Sequence, residues 1–123
     1  IGGFVPSAGH AGKYFLKALK VKSKLTREIN EAFKKFDLLI APTVPILPFK
    51  IGEKIDDPVS LFQIDINTVT ANLTGKPAIS VPFAISNGLP IGIQLFADSM
   101  QDKLLLQAAY ALEQTISLPE VPI

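Results

Sequence analysis

Apolar and polar residues alternate most regularly from Ala78 to Ile85. Alternation with a period of two is typical of a β-strand whose faces meet different surroundings, so we predict a strand over these residues. Gly75 and Pro77 precede it and end the helical pattern before them. The two predicted faces are Ile79, Val81, Phe83 and Ile85 on one side, and Ser80, Pro82, Ala84 and Ser86 on the other.

Asn87-Gly88 follows this strand and predicts a tight turn, because both residue types tolerate positive φ. A second strand is expected over residues 91–96. Pro82 has no N–H to donate, so the first strand should lie at a sheet edge or bulge there. Gly92 lies inside the second strand, where its missing side chain lets a neighbouring group approach the backbone closely.

Two further elements are expected before the hairpin. Residues 10–36 predict a long amphipathic helix, with a break near Ser23 left open. Residues 37–41 are short and apolar and are followed by Pro42, as expected of a buried strand.

A final helix is expected to end near Thr115, and Ser99 with Asp102 has the spacing of a capping box at its start. The proline-rich connection at 42–58 should be irregular. Its Asp56-Asp57 is interpreted as a turn and helix cap rather than as a catalytic pair. The predicted order is helix, strand, helix, strand, strand, helix, which is an α/β arrangement.

Another helical pattern runs from Val59 to Leu73 and is apolar around most of its circumference, so this helix is expected to be largely buried. Asp65 lies within it, and a carboxylate among apolar neighbours needs a partner that offsets its desolvation. Asp65 is therefore the candidate site residue, either as an anion that binds a ligand's ammonium group or as a structural carboxylate. The pattern favours neither role. Thr68 and Asn72 extend a polar strip from it at helical spacing.

The composition is unusually apolar, with 48% hydrophobic and 19% charged residues among 123. No apolar run is long enough for a membrane span, so burial in an interface better explains the surplus of apolar residues. Cysteine is absent and His10 is the single histidine, which excludes disulfides, thiolate catalysis and a histidine metal site. The chain starts at Ile1 without a start-of-domain signal, and we expect it to be part of a longer polypeptide.

Positive charge is concentrated in the first predicted helix. Eight basic and two acidic residues lie between Lys13 and Lys35, whereas the whole chain carries a net charge of +1. A basic helix can contact RNA or a membrane surface. A solvated outer face is favoured, because no aromatic stacking platform or nucleic-acid motif accompanies the charge.

Motifs for complete active sites are missing. The sequence has no glycine-rich phosphate loop, no G-x-S-x-G and no H-E-x-x-H. Serine and lysine are present as possible nucleophile and base, but their spacing singles out no pair. The chain therefore looks like part of a site.

Several segments resemble the carboxy-terminal part of the amidase signature family. They are GKPAISVP at 75–82, SNGLPIGIQL at 86–95, DLLIAPTVP at 37–45 and YALE at 110–113. Within the family, IGEKIDDP at 51–58 followed by Asp65 is most similar to the A subunit of glutamyl-tRNA(Gln) amidotransferases. The resemblance implies that residues 1–123 are the carboxy-terminal segment of an amidase domain. Its fold would be a mixed β-sheet covered by helices, with about three strands and three to four helices in this chain.

The resemblance also implies an enzyme that releases ammonia from an amide, using a serine nucleophile, a second serine joined by a cis peptide and a lysine base. These residues lie upstream of the matched region, so this chain is expected to hold none of them and to be inactive alone. In the amidotransferase, ammonia from glutamine converts Glu-tRNA(Gln) to Gln-tRNA(Gln). ATP and magnesium act at the partner B subunit and the small C subunit wraps the amidase chain, which implies a cytoplasmic protein with no cofactor in this segment.

By the same resemblance, Asp65 matches the carboxylate that contacts the α-amino group of glutamine. Some positions depart from the usual pattern of the amidotransferase A subunit: His10-Ala11 replaces two tyrosines, Thr70 replaces a proline and Lys22 replaces an arginine. These departures leave open that the chain is a segment of another amidase signature hydrolase that acts on a different amide. A further alternative is a non-catalytic module that binds RNA through the basic helix between Lys13 and Lys35.

Overall fold

The structure is a computed structural model, and it describes residues 15–50 and 62–117. The three described strands form one antiparallel sheet in the order β1-β3-β2, so β3 is the central strand. Parallel pairs, which the expected mixed sheet would include, do not occur among the described residues. The order of helices and strands is the predicted one and confirms the α/β class. The elements are α1 (Leu16–Phe33), β1 (Leu38–Pro42), α2 (Val69–Thr74), β2 (Ala78–Ser86), β3 (Leu89–Ala97) and α3 (Asp102–Thr115).

Strands β2 and β3 form a hairpin around the predicted turn. Asn87 and Gly88 have φ angles of 52° and 75°, and two successive positive values give a turn whose twist matches that of paired strands. The register shifts between Pro82 and Ala84, and β2 is an edge strand. Both structural consequences expected of Pro82 are therefore present.

The bulge changes which side chains of β2 share a face. Val81 pairs with Ile93 and Ala84 pairs with Ile91, and residues directly opposite each other share a face of the sheet. Because the bulge inserts one extra residue, Ala84 joins the face of Val81. Ile85 pairs with Pro90 and therefore lies on the opposite face from Val81. The expectation that Ile85 shares the face of Val81 is wrong, and the predicted alternation holds only up to Pro82.

The core lies between the hairpin and α3. This helix ends at Thr115 as predicted, but Gln101 precedes it without a side-chain cap. The capping box expected from Ser99 and Asp102 is therefore wrong, and Ser99 Oγ instead accepts a hydrogen bond from Lys76 Nζ. The buried core residues are Val81, Leu95, Ala97, Leu105 and Ala109.

Strand β1 is less covered than its sequence predicts. Helix α3 packs on β2 and β3, and the same face of β1 extends beyond it. Ile40, which pairs with Leu95, is 59% exposed. The expectation of a buried strand is therefore wrong, because an apolar run shows only that a strand tolerates burial. Residues 43–50 are irregular as expected, while Asp56-Asp57 lies outside the described residues.

Helix α1 continues through Ser23 without a break and packs against α2. The part of its predicted span before residue 15 lies outside the described residues. None of the described helices is long and apolar enough to cross a membrane. The surplus of apolar surface is present, since more than half of the surface of each of these residues is exposed: Phe36, Ile40, Phe62, Leu106 and Tyr110.

Candidate functional site

The candidate residue Asp65 lies in a turn that leads into α2. Residues 62–64 are helical, residues 65–68 form the turn, and α2 begins at Val69. The Asp65 carbonyl accepts hydrogen bonds from the Thr68 and Val69 amides, at 3.1 and 3.0 Å. Thr68 Oγ1 donates to the same carbonyl, at 3.1 Å.

The prediction of a continuous helix is therefore wrong at residues 65–68. The prediction that this helix is largely buried is wrong as well, since Phe62 and Ile66 are 59% and 58% exposed. Threonine and asparagine side chains compete with helical backbone hydrogen bonds, and the hydroxyl of Thr68 forms such a local bond. The side chain of Asp65 is exposed, so the desolvation expected for a buried carboxylate is absent. In the part of the chain that the structure describes, none of the salt bridges involves Asp65. Its carboxylate can receive a ligand's cation, and this role stays a prediction.

The predicted polar strip of Asp65, Thr68 and Asn72 is connected by hydrogen bonds. Thr68 bonds back to the Asp65 carbonyl, and Asn72 Nδ2 donates to the Thr68 carbonyl at 3.4 Å. At its far end, Gly75 ends α2 in the left-handed conformation, with φ of 67°. This confirms the helix end predicted at Gly75.

Gln94 fastens the Asp65 turn to the sheet. It lies on the central strand and is 4% exposed. Its Nε2 donates to the Asn67 carbonyl, inside the turn, at 3.3 Å. Sequence reasoning missed this contact, although Gln94 is the one polar side chain in IGIQLF at 91–96 and was therefore the signal to follow.

Thr43 and Ser80 meet above Gly92. Their hydroxyl oxygens are 2.6 Å apart. A Cβ at Gly92 would lie 2.8 Å from Ser80 Oγ and 2.9 Å from Thr43 Oγ1. The close approach predicted at Gly92 is therefore present. The groups that approach its backbone are the hydroxyls of Thr43, directly after β1, and Ser80, on β2.

A cavity of about 360 Å³ lies beside the turn. Ile66 and Asn67 line it from the turn, and Ile29, Leu39 and Phe96 line it from α1 and the sheet. Its walls are mostly apolar. The cavity can hold the apolar part of a ligand next to the turn that carries Asp65. Asp65 itself does not line the cavity.

Lys76 lies close to a serine hydroxyl: its Nζ is 3.1 Å from Ser99 Oγ. Its Nζ also donates to Asp98 Oδ1 at 2.5 Å. An ammonium that donates to a carboxylate is an ion-paired cation, not a free base. Hydrogen bonds from Lys76 and from the Ser99 amide lower the pKa of Asp98. We interpret this cluster as a structural contact and not as a nucleophile and base.

The described residues thus offer a carboxylate, amides and hydroxyls around a turn fixed to the central strand. No group of three or more His, Cys, Asp or Glu among them could hold a metal ion. Such an arrangement is suited to binding a ligand that carries a cation.

A family model described as Amidase matches residues 1–106. The chain therefore belongs to the amidase family, as the motifs in its sequence indicated.

Curated relatives are consistent with this assignment. The chain is 57% identical, over 122 residues, to the glutamyl-tRNA(Gln) amidotransferase A subunit of Cenarchaeum symbiosum, covering 99% of this chain and 26% of the relative. It is 44% identical, over 117 residues, to the protein of the same name from Saccharolobus solfataricus, covering 95% of this chain and 24% of the relative.

Solved structures have the same fold. The crystal structure of the glutamyl-tRNA(Gln) amidotransferase A subunit from Thermotoga maritima gives a TM-score of 0.84 at 42% identity, covering 99% of this chain and 28% of that one. A 6-aminohexanoate cyclic dimer hydrolase complexed with substrate gives 0.68 at 30% identity, covering 87% of this chain and 25% of that one. The chain spans about a quarter of the length of the proteins it matches.

Proposed function

We propose that this chain is the substrate-side segment of the glutaminase subunit of a glutamyl-tRNA(Gln) amidotransferase. The full protein would release ammonia from glutamine, and the ammonia would convert Glu-tRNA(Gln) to Gln-tRNA(Gln). One observation carries the proposal: similarity to the amidotransferase A subunit extends over nearly the whole chain in both sequence and structure. The similarity to the cyclic dimer hydrolase is lower in both respects.

Asp65 supplies the group that distinguishes glutamine from a neutral amide. Free glutamine carries an α-ammonium group at neutral pH, and an exposed carboxylate on a turn fixed by Gln94 can accept a charged hydrogen bond from it. Once the bound glutamine is enclosed and shielded from water, such a bond would contribute about 1.5 to 3 kcal/mol. The rest of the amidase chain would enclose the bound glutamine from the other side.

The catalytic serines and lysine of the family mechanism would lie elsewhere in the full protein. This segment contributes binding, and by itself we expect it to be inactive. The B and C subunits of the amidotransferase are the proposed partners, with ATP and magnesium at the B subunit, in a cytoplasmic complex. We expect no cofactor to bind within this segment itself.

The test is an assay of the full-length protein that contains this chain, purified with its partner subunits. We expect ammonia release from glutamine and, with ATP and magnesium, formation of Gln-tRNA(Gln) from Glu-tRNA(Gln). Hydrolysis of the 6-aminohexanoate cyclic dimer, without release of ammonia from glutamine, would instead assign the protein to another branch of the amidase family.

RNA contact through α1 is a second candidate function, favoured by the arrangement of its basic residues. Lys17, Lys20, Lys24 and Arg27 are exposed and follow one another at spacings of three and four, which places them on one face of the helix. Glu28 Oε1 lies 3.8 Å from Lys24 Nζ, and an ion pair that is this long and exposed neutralises little of the positive charge on this helix face.

Binding of tRNA to the full-length protein at increasing salt concentrations tests this candidate. We expect a Lys20→Glu, Arg27→Glu double variant to bind more weakly and with a smaller salt dependence, because fewer phosphates are neutralised. An unchanged salt dependence would exclude the RNA-binding module.

A further inference from the structure

The segment from Asp65 to Lys76 is fastened to the sheet at two points. Near its start, Gln94 of β3 donates to the Asn67 carbonyl at 3.3 Å. At its end, Lys76 donates to Asp98 directly after β3, at 2.5 Å. Both contacts join the segment to the central strand or to the residue that follows it. Only the first lies inside the turn that carries Asp65.

Gln94 differs from the polar residue opposite it in the sheet. Ser80 pairs directly with Gln94 across β2 and β3, and its hydroxyl contacts Thr43. The Gln94 amide is 4% exposed and reaches off the sheet to a backbone carbonyl two residues from Asp65. A buried amide at this place restricts where the turn can lie, since shifting the turn would leave the donor unpaired.

We propose that Gln94 is a positioning residue for glutamine binding, which acts by holding the Asp65 turn against the central strand. This inference rests on the proposed function, and it assigns to Gln94 an effect on substrate affinity rather than on the reaction itself. The carboxylate of Asp65 contacts the ligand, and Gln94 sets the position from which it does so. Without the Gln94 donor the turn samples more positions, and each encounter with the ammonium group is less favourable.

The first test is Gln94→Met in the full-length protein with its partner subunits, because methionine keeps the length and shape of glutamine but cannot donate. We expect KM for glutamine to rise about three- to tenfold, the loss of one buried hydrogen bond, while kcat changes less than twofold. Ser80→Ala is the matched control, since it removes a side-chain hydrogen bond on the same face and leaves the turn alone. Its KM should equal that of the wild type.

The second test combines Gln94→Met with Asp65→Asn. If Gln94 acts through Asp65, the two effects are not additive, and the double variant should have the same KM as Asp65→Asn alone. Additive increases in KM would show that Gln94 affects binding by another route and would overturn the inference.

The outcomes separate this inference from the proposed function. Absence of glutaminase activity in the wild type contradicts the proposed function and with it the inference. Wild-type activity with an unchanged KM in Gln94→Met overturns the inference alone. A fall in melting temperature without a change in KM does the same, because it shows that Gln94 only stabilises the fold.

Discussion

Lys76 Nζ donates to Asp98 Oδ1 across 2.5 Å, although the Lys76 side chain is only 5% exposed and that of Asp98 is 52% exposed. The ammonium also donates to Ser99 Oγ and lies 5.5 Å from the centroid of the Phe33 ring. One cation thus connects the start of β2, the connection from β3 to α3, and the end of α1. These contacts offset the cost of burying a lysine.

This arrangement predicts that the two partners respond unequally to substitution. Asp98→Ala leaves the Lys76 ammonium buried without its anion, whereas Lys76→Met removes the buried charge and retains an apolar side chain. We expect Asp98→Ala to lower the melting temperature of the protein at neutral pH more than Lys76→Met does. Equal decreases, or a larger decrease for Lys76→Met, would show that the ion pair does not control the stability of this cluster.

The lowered pKa of Asp98 predicts an acid-dependent loss of stability. The folded chain holds this carboxyl in its charged form mainly through the hydrogen bond from Lys76, so its pKa lies below the ordinary value of 3.8. The contribution of the pair is therefore complete above that value and is lost as pH falls through the lower, folded pKa. Melting temperatures of the wild type and Asp98→Asn should differ at neutral pH and converge in strong acid. A constant difference across this range would contradict the assignment.

Gly92→Ala should disrupt the hydroxyl contact between Thr43 and Ser80. The new Cβ would lie within 3 Å of both hydroxyl oxygens, so they must move apart. We expect the free energy of unfolding to fall by about 1 to 3 kcal/mol, the usual cost of overpacking. Measured in a Ser80→Gly background, the same substitution should cost less, because one of the two close atoms is gone. If Gly92→Ala lowered the free energy of unfolding equally in the wild type and in Ser80→Gly, the contact with Ser80 would not be the source of the strain.

Local stereochemistry explains what the sequence predicted correctly. Asn87-Gly88 sets the turn and Gly75 ends α2, because both effects depend on the φ angles of the residues themselves. Pro82 has no N–H to donate and is therefore compatible with a bulge on an edge strand. The order of helices and strands follows from the periods of the apolar pattern. These features were predictable without knowledge of distant contacts.

The remaining features depend on partners far away in the chain. Gln94 and Asn67 are 27 residues apart, and Lys76 and Asp98 are 22 apart, so no local pattern announces either contact. The exposure of Ile40 depends on where α3 stops covering the sheet. The turn at Asp65 was missed because the apolar residues around it have helical spacing. The hydroxyl of Thr68, which competes with the backbone amides for the Asp65 carbonyl, is not visible in that pattern.

The most direct measurement of the central proposal is KM for glutamine in the full-length protein carrying Asp65→Asn. Asparagine keeps the size of the side chain and removes its charge, so we expect KM to rise about ten- to a hundredfold, the loss of one charged hydrogen bond. Asp37→Asn is the control, since Asp37 is another exposed aspartate, before β1, and should leave KM unchanged. A KM for Asp65→Asn equal to that of the wild type would contradict the assignment of Asp65 as the group that binds the α-ammonium of glutamine.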